Sequence, residues 1–303
     1  MSVEDTAARI KALEIQGATN VAVQAVKALG KEIRALQWSQ PEEVLKLINS
    51  SISLLVDSRA TEPMMRNGLK YIKSRVHNSQ WSTPVVLRSL IQDTEQDILM
   101  MFNEAKNIMV EVGARRIEDG DTLLTHCHSS GVTATLVRAK EQGKDFRVIQ
   151  TETRPKYQGR ITAYELLKAG IDTTMIVDSA ARHYMKDIDF VLVGADAITS
   201  EGNVINKIGT SQIALASWES RVPFYVVTML LKFDPITIHG AYETIEERHT
   251  DEIWDNPPHG LAILNPAFDI TRRDYVHGLI TEEGIISPHS ILEAIHRHYP
   301  WML

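Results

Sequence analysis

The chain has 303 residues, of which 44% are hydrophobic and 23% are charged, and its formal net charge at pH 7 is -7. This length is enough for one large domain or two ordinary ones, and the composition is that of a globular protein. The negative charge argues against a mainly electrostatic grip on nucleic acid, although it leaves room for a local basic pocket that binds phosphates.

The cysteine content and the N-terminal segment indicate the compartment in which the protein works. Cys127 is the single cysteine of the sequence, which excludes an internal disulfide and favours an intracellular protein. The first residues lack the basic start and apolar run of a signal peptide. No stretch reaches the roughly 20 apolar residues that a membrane-spanning helix needs. The sequence therefore predicts a cytoplasmic protein that binds neither nucleic acid nor a membrane.

The first 116 residues have the apolar periodicity of helices and little β signal. The predicted helices cover residues 3–13 and 21–36, a segment that starts at Pro41, one that ends near Val76 and a long one that ends near Gly113. We therefore predict a helical N-terminal domain over residues 1–116.

From Asp121 onward, short apolar runs alternate with helical stretches. The predicted strands are 122–126, 146–150, 173–177, 190–193, 223–228, 261–264 and 276–280, and the predicted helices lie near 132–142, 160–169, 179–186 and 207–220. Such alternation is typical of a mostly parallel sheet with right-handed crossovers. We therefore predict an α/β fold in which the helical domain is followed by a doubly wound domain over residues 117–303.

The segment Thr-His-Cys-His-Ser-Ser-Gly at 125–131 is the first candidate for a functional site. It follows the first predicted strand, and open α/β sheets place their ligands beyond the carboxyl ends of the strands. Gly131 permits close approach of the backbone, and the helix that follows offers free N–H groups to an anion. The pattern predicts a catalytic thiol, Cys127, beside a turn that binds phosphate.

Polar residues also follow other predicted strands. Arg154 and Arg160 come after the second strand, Asp196 comes after the fourth, and Asn206 and Lys207 then lead into a helix. Since the carboxyl ends of parallel strands share one edge of a sheet, we expect these side chains to converge. Cations and an amide at one edge suit an anionic, polyhydroxylated ligand such as a sugar phosphate.

Each of these residues also has a plain structural interpretation. Cys127 could be a small buried hydrophobe, Asp196 could cap a turn, and the arginines could be solvated surface groups. His126 and His128 share a face, but no second ligand pair at zinc-like spacing accompanies them, so no metal site is predicted. The glycines match neither the dinucleotide-binding fingerprint nor the P-loop.

A thiol and a carboxyl group at one sheet edge suggest acid–base chemistry. A thiol near cations and a helix N-terminus is expected to have a lowered pKa, and a carboxyl group in an apolar pocket is expected to have a raised pKa. An acid and a base around a sugar phosphate favour aldose–ketose isomerisation. Spacing alone does not separate that reaction from the chemistry of a thiol hydrolase.

Several motifs together resemble those of one family. They are Thr125-His126-Cys127, Glu152-Thr153-Arg154-Pro155, Gln158-Gly159, Gly194-Ala195-Asp196, Asn206-Lys207-Ile208-Gly209-Thr210 and Asn265-Pro266-Ala267-Phe268-Asp269. In this order they resemble the sugar-1-phosphate isomerases, a family that also includes the alpha, beta and delta subunits of translation initiation factor 2B. The resemblance covers nearly the whole chain and implies a helical N-terminal domain followed by a Rossmann-like domain.

Within that family, residues 178–186 are similar to the corresponding segment of the archaeal ribose-1,5-bisphosphate isomerases. Arg182 in this segment differs from the residue of the methylthioribose-1-phosphate isomerases, and Lys232 suits a second phosphate. The resemblance implies conversion of ribose 1,5-bisphosphate to ribulose 1,5-bisphosphate. It assigns movement of the C2 proton to Cys127 and help in opening the sugar ring to Asp196.

The resemblance also implies which residues contact the substrate, which cofactors are needed and which oligomeric state is expected. The substrate contacts would be Gly17, Ala18, Arg59, Ser129, Arg154, Arg182, Asn206, Lys207 and Lys232. No metal and no cofactor are implied, AMP is implied as an activator, and the chain is expected to form a homo-oligomer. Two departures weaken the match to a bisphosphate, because Gln16 and Ser130 stand where these isomerases usually have an arginine and a lysine.

Two alternative functions remain open on the sequence. One is a non-catalytic regulatory subunit, similar to the alpha subunit of initiation factor 2B, which would bind a nucleotide or sugar phosphate and have initiation factor 2 as its partner. Gln16 resembles the residue of that subunit, whereas the presence of both Cys127 and Asp196 favours an enzyme. The other is an isomerase of the 5-methylthioribose-1-phosphate type.

Overall fold

The computed structural model describes residues 1–59 and 61–303, and the chain divides into two compact units. The first comprises Met1–Glu104 together with Trp301–Leu303, and the second comprises Ala105–Pro300. The division falls inside a long helix. The domain boundary between residues 116 and 117 stays a prediction.

The first unit is helical, as the sequence predicts. Its helices are α1 (Val3–Lys11), α2 (Ala18–Ala35), α3 (Pro41–Ser58), α4 (Pro63–Asn78) and the N-terminal part of α5 (Pro84–Arg116). Three of these helices begin with proline, whose fixed φ suits the first turn and whose missing N–H is not needed there. Within the described ranges, none of the helices has both the length and the apolar character required to cross a membrane.

Packing in the first unit depends on close contact between α2 and α4. Val21, Val26 and Leu29 of α2 are fully buried. Gly68 of α4 lies so near them that a Cβ atom there would be 2.9 Å from Cγ2 of Val26. The C-terminal residues complete this unit, because the Trp301 ring lies 5.0 Å from that of Tyr71.

The second unit is built on strands alternating with helices. The strands are β1 (Thr122–Thr125), β2 (Arg147–Thr151), β3 (Asp172–Ile176), β4 (Phe190–Val193), β5 (Ala197–Ile198), β6 (Val204–Lys207), β7 (Phe224–Val227), β8 (Phe268–Thr271), β9 (Gly278–Thr281) and β10 (Gly284–Ile286). The helices are α6 (Ser130–Glu141), α7 (Gly159–Lys168), α8 (Ala181–Tyr184), α9 (Thr210–Ser220) and α10 (Ile291–His298).

In the described part of the chain, seven strands form a main sheet in the order β10-β9-β7-β4-β1-β2-β3. All neighbours pair in parallel except β10 and β9. The strand β1 lies in the interior of the sheet and is fully buried, and its partners β2 and β4 run parallel on either side. This arrangement confirms the predicted α/β fold and brings the segments after β1, β2 and β4 to the same edge.

A small antiparallel sheet, β5-β6-β8, lies outside the main one. The sequence did not reveal it, because β6 has only two apolar residues before Asn206 and Lys207. In the register of the small sheet, these two pair with Asp269 and Phe268. The predicted strand at 261–264 is wrong: the segment forms no strand, and Leu264 is 81% exposed.

The contact between β2 and α7 provides a test of this packing. A Cβ atom at Gly159 would lie 1.9 Å from the Thr151 carbonyl oxygen. We therefore expect Gly159→Ala to lower the free energy of unfolding by about 3 kcal/mol, since backbone must move to accept it. Gly143→Ala is the control: no described atom lies within 4 Å of a Cβ there. An alanine at the positive φ of position 143 should lower the free energy of unfolding by only about 1 kcal/mol. Equal losses in urea unfolding would contradict this account.

Candidate functional site

The turn after β1 holds Cys127 in a backbone conformation that L-residues rarely adopt, with φ at +65°. The Cys127 N–H donates to Thr153 Oγ1 at 2.9 Å. The Cys127 carbonyl oxygen accepts hydrogen bonds from Gln150 Nε2 at 3.1 Å and from Thr162 Oγ1 at 3.0 Å. We call Gln150, Thr153 and Thr162 the Cys127 clamp. Because the clamp bonds both peptide groups of Cys127, it offsets the cost of the left-handed conformation.

Asp178 fixes the turn that follows β2. Its Oδ1 accepts from the Thr153 N–H and its Oδ2 from the Arg154 N–H, both at 2.7 Å. Thr153 also has a positive φ, +63°. Since Asp178 follows β3, the residues after three neighbouring strands form a single row of hydrogen bonds along the edge of the main sheet.

The two histidines beside Cys127 are bonded to protein groups. His126 is buried, its Nε2 lies 2.9 Å from the Ile208 carbonyl oxygen and its Nδ1 lies 2.6 Å from Thr151 Oγ1. The carbonyl can only accept, so Nε2 carries the proton and Nδ1 accepts from the hydroxyl. Burial lowers the pKa of His126, which keeps the ring neutral. Its role is to connect the turn after β1 to the segment between β6 and α9.

The thiol of Cys127 is harder to ionise than the sequence suggests. Burial raises the pKa of Cys127 to about 11; Lys207 and a hydrogen bond from the His128 backbone act in the opposite direction, and the negative charges of Asp196 and Asp178 act with burial. The expectation of a lowered pKa is therefore wrong for the protein without ligand. The cation of Lys207 acts on the thiol, but the loss of solvation outweighs it. The thiol is protonated at neutral pH.

The end of β4 brings Asp196 to this edge. Its N–H donates to the Ile205 carbonyl oxygen at 2.8 Å, which ties it to the small sheet. Lys232 Nζ donates to the Ala195 carbonyl oxygen at 2.5 Å. Gly194 lies against Ser129, and a Cβ atom at position 194 would be 2.5 Å from Ser129 Oγ. The ends of β1 and β4 thus meet, with Ser129, Asp196 and Lys232 around the contact.

The small sheet supplies Asn206 and Lys207. Asn206 is buried and its Nδ2 donates to Thr210 Oγ1 at 3.0 Å. The Lys207 ammonium lies 4.8 Å from the centroid of the Phe268 ring, close enough for a cation–π contact. Lys207 also lowers the pKa of Cys127, as noted, so its charge acts at the thiol. The structure therefore gathers Cys127, Asp196 and Lys207 in one electrostatic neighbourhood.

Asp269 occupies the N-terminus of α9. Its carboxylate accepts from the Gly209 N–H at 2.8 Å and from the Ser211 N–H at 3.1 Å. Burial raises the pKa of Asp269 to about 6, and these two hydrogen bonds act in the opposite direction. A protein carboxylate thus already binds the amides that a phosphate would use at α9. At α6 the corresponding cap is the longer bond of 3.5 Å from the Val132 N–H to Ser129 Oγ.

Arg154 and Arg182 are exposed and bind protein groups. The Arg154 guanidinium donates to Tyr157 Oη and to the Ile253 carbonyl oxygen, both at 2.8 Å. Arg182 Nε lies 2.8 Å from Glu219 Oε2. Arg182 borders a cavity of about 280 Å³ that is lined by His126, Asp178, Ser179, Ala181, Arg182, Gly209, Gln212, Ile213, Leu215, Ala216 and Glu219. Among the described residues, the lining of this cavity includes Arg182 but neither Cys127 nor Asp196.

Three predicted substrate contacts lie in the first unit. Gly17 has a φ of +81° and immediately precedes α2, and Ala18 is the buried first residue of that helix. Arg59 follows α3, and its Nε lies 3.2 Å from the buried carboxylate of Glu62. Their part in substrate binding stays a prediction.

Sequence reasoning missed the residues that hold the site together. Gln150 could have been recognised from the sequence, because a polar residue within an otherwise apolar strand needs hydrogen-bond partners. Asp178 could also have been recognised, because it follows a predicted strand. Asp269 ends one of the motifs that carry the family resemblance, but neither its role nor that of Thr162 could be inferred from the sequence, since their partners are distant in the chain. Among the described residues no group of three histidine, cysteine or acidic side chains is arranged to hold a metal ion.

The known proteins that this chain is similar to match it over nearly its whole length. The model of the Initiation factor 2 subunit family matches residues 14–288. Ribose 1,5-bisphosphate isomerase of Methanocaldococcus jannaschii is 39% identical over 302 residues, covering 99% of this chain and 96% of that protein. These findings confirm the resemblance noted in the sequence.

Two solved structures share the fold. Translation initiation factor eIF-2B of Pyrococcus horikoshii OT3 superposes with a TM-score of 0.81 at 31% identity, covering 94% of this chain and 97% of that one. The 5-methylthioribose 1-phosphate isomerase of the same organism superposes with a TM-score of 0.80 at 27% identity, covering 98% and 88%. The fold is therefore common to proteins with isomerase names and proteins with initiation-factor names.

Alkylation of Cys127 tests the electrostatics of the site without interference, because the chain has one cysteine. We expect the iodoacetamide reaction rate to keep rising with pH towards about 11, since only the thiolate reacts and the folded pKa is raised. In Lys207→Met the curve should move to still higher pH. Lys140→Met, a substitution on the outer face of α6, should leave it unchanged. A plateau below pH 9 in the folded wild-type protein would show that burial does not dominate.

Proposed function

This chain belongs to the Initiation factor 2 subunit family, and within that family we propose that it converts ribose 1,5-bisphosphate to ribulose 1,5-bisphosphate. The observation that carries the proposal is that Cys127 and Asp196 follow the adjacent parallel strands β1 and β4, and that the charges of Asp196 and Lys207 both act on the thiol. The isomerase names of its relatives support an enzyme that acts on a sugar phosphate.

The proposed reaction moves one proton and opens one ring. The Cys127 thiolate takes the proton from C2 while the bond between C1 and the ring oxygen breaks and Asp196 gives that oxygen a proton. This leaves a double bond between C1 and C2 with a hydroxyl on C2. Return of a proton from Cys127 to C1, with transfer of the hydroxyl proton to the Asp196 carboxylate, produces the ketone at C2, keeps the C1 phosphate and restores both groups.

The raised pKa of Cys127 fits this role, because a weakly acidic thiol gives a strongly basic thiolate. Only a small fraction of the thiol is ionised at neutral pH, and Lys207 increases that fraction. The enol intermediate needs protection from water, which otherwise favours loss of phosphate. A buried thiol supplies both a strong base and a dry surrounding.

The proposed phosphate contacts differ in how firmly they are held. Lys232 is fixed on the Ala195 carbonyl oxygen, next to the acid Asp196. Arg154 hydrogen-bonds to neutral groups, whereas Arg182 forms an exposed ion pair with Glu219, and exposed ion pairs are weak. An incoming phosphate can therefore replace Glu219 on Arg182 at little cost. Gly17, Ala18, Arg59, Ser129, Asn206 and Lys207 complete the proposed set.

The proposal includes neither a metal nor another cofactor in the chemical step, and it keeps AMP as an activator. Support for the absence of a cofactor comes from the mechanism, since an acid and a base suffice for a proton transfer between adjacent carbons. Support for AMP comes from the family resemblance. Assays with and without AMP, and with and without a chelator, address both points.

Substrate turnover by site variants tests the proposed function. We expect the purified protein to form ketose from ribose 1,5-bisphosphate, and both Cys127→Ser and Asp196→Asn to reduce kcat by about 10²–10⁴-fold, because each removes a group that transfers a proton. Asp145→Asn, at an exposed carboxylate beside Lys140, is the control and should keep the wild-type rate.

The choice of substrates separates the competing functions. Faster turnover of 5-methylthioribose 1-phosphate than of ribose 1,5-bisphosphate would replace the proposed substrate. Failure to turn over any pentose 1-phosphate, with or without AMP, would refute the isomerase and favour a regulatory subunit, for which binding to initiation factor 2 is the direct assay. Near wild-type rates in both site variants would leave an isomerase with a different mechanism.

We also propose that the protein is a homo-oligomer that uses one face of α7. This helix buries one face that includes Ala163 and Leu166 and exposes three large apolar residues on another: Ile161 is 50%, Tyr164 72% and Leu167 60% exposed. They recur every three residues and so share one side of the helix. An apolar stripe of this kind marks an interaction surface.

A charge placed in this stripe should separate the subunits. We expect the double variant Tyr164→Asp, Leu167→Asp to elute at the mass of a single 34.1 kDa chain, whereas the wild-type protein elutes at a multiple of it. The control is Glu293→Lys, a charge reversal on the exposed side of α10, which should keep the wild-type mass. A wild-type protein that light scattering shows to be monomeric would refute the proposal.

A further inference from the structure

The Cys127 clamp reaches the turn from different elements. Gln150 belongs to β2, Thr153 follows that strand, and Thr162 lies in the first turn of α7. All three side chains are buried, with exposures of 0%, 0% and 1%. Hydrogen bonds between buried groups are not exchanged for bonds to water, so they constrain geometry strongly.

Thr162 reaches Cys127 because α7 begins with a residue that has no side chain. Gly159 lies directly against the end of β2, where the Thr151 carbonyl oxygen leaves no room for a Cβ atom. The close approach carries Thr162, three residues later, to the Cys127 carbonyl. The Thr162 hydroxyl donates to that carbonyl and has His128 Nδ1 at 3.0 Å as its other partner. A single hydroxyl thus links the residues on both sides of the peptide bond after Cys127.

The amide of Gln150 is oriented by two acceptors. Its Nε2 donates to the carbonyl oxygens of Cys127 and Thr151, and both can only accept, so the nitrogen must face them. The Oε1 atom is buried and has no hydrogen-bond partner within residues 1–59 and 61–303. A buried acceptor without a partner is destabilising. Gln150 therefore keeps its hydrogen bond to the Cys127 carbonyl oxygen, although this orientation leaves its own Oε1 atom without a partner among the described residues.

We propose that Thr162 and Gln150 are positioning residues for the thiol: by holding the Cys127 carbonyl they keep the turn left-handed and direct Sγ to the substrate carbon. The inference rests on the proposed isomerase function. Neither residue exchanges a proton with the substrate. Misplacement of a reacting group by about 1 Å can reduce a rate about 10²-fold. Loss of the clamp should therefore reduce kcat and leave KM nearly unchanged.

The experiment compares Thr162→Val, Thr162→Ser and Thr94→Val. Valine keeps the shape of threonine and removes its hydroxyl, whereas serine restores the hydroxyl. Thr94 is the matched control, because it is fully buried and its hydroxyl donates to the Leu90 carbonyl oxygen within α5. Each protein is assayed for kcat, KM, the midpoint of thermal unfolding and the rate of Cys127 alkylation against pH.

We expect Thr162→Val to lose about 10-fold to 10²-fold in kcat with little change in KM. Because a loosened turn exposes the thiol, its alkylation curve should move about one unit towards the pKa of an ordinary cysteine, so that the rate at pH 9 rises about tenfold. Thr162→Ser should restore both properties. Thr94→Val should lose stability alone and keep wild-type kcat and alkylation.

A folded Thr162→Val with wild-type kcat and a wild-type alkylation curve would overturn the proposal. If this variant does not fold, Gln150→Met is measured in the same way, and the same outcomes decide. If neither variant folds, the clamp is a folding element and the positioning role is refuted. A wild-type protein that turns over no sugar phosphate refutes the proposed function separately, since the alkylation curves still show whether the clamp sets the environment of Cys127.

Discussion

The left-handed conformation of Cys127 is the constraint on which the candidate site depends. A φ of +65° is sterically unfavourable for an L-residue other than glycine. A residue keeps this conformation only where contacts with the surrounding structure enforce it. The Cys127 clamp enforces it by hydrogen-bonding to the peptide groups on both sides of Cys127. It is possible because β1 and β2 are parallel neighbours, so that the segments after both strands share one edge. Asp178 then extends the same row of hydrogen bonds to the segment after β3.

Burial sets the chemistry of this turn more than charge does. The pKa of Cys127 is raised from an ordinary value near 9 to about 11, although Lys207 is near enough to lower it. Two pKa units correspond to roughly 3 kcal/mol in favour of the neutral thiol. A site of this kind keeps the thiol unreactive until its proton is removed. The thiolate that then forms is a strong base, which suits abstraction of a proton from carbon better than nucleophilic attack at neutral pH.

The sequence predicted the architecture wherever a buried strand was a short apolar run between helical stretches, as in β1 and β4. It missed the small sheet, because Asn206 and Lys207 interrupt the apolar pattern of β6 and because its partner β8 is distant in the chain. The rule that ligands lie beyond strand ends placed Asp196 correctly at the edge next to Cys127. The pKa of the thiol was predicted in the wrong direction, because charges can be counted in a sequence whereas the solvent lost on folding cannot. Gln150 of the clamp stands out in the sequence as a polar residue in a strand, but the clamp residues bind backbone groups of Cys127, and these partners cannot be identified from the sequence.

The cations of the site fall into two groups, and this division bears on the substrate. Lys232 and Lys207 are partly buried: Lys232 donates to the carbonyl oxygen before the proposed acid, and the charge of Lys207 acts on the proposed base. Arg154 and Arg182 are exposed and can exchange their protein partners for an anion, since water screens both states similarly. Fixed cations beside the reacting carbons would hold the C1 phosphate through the change at C1 and C2. Exchangeable cations would recognise a second, remote phosphate, and their binding energy would contribute to orientation without taking part in the proton transfer.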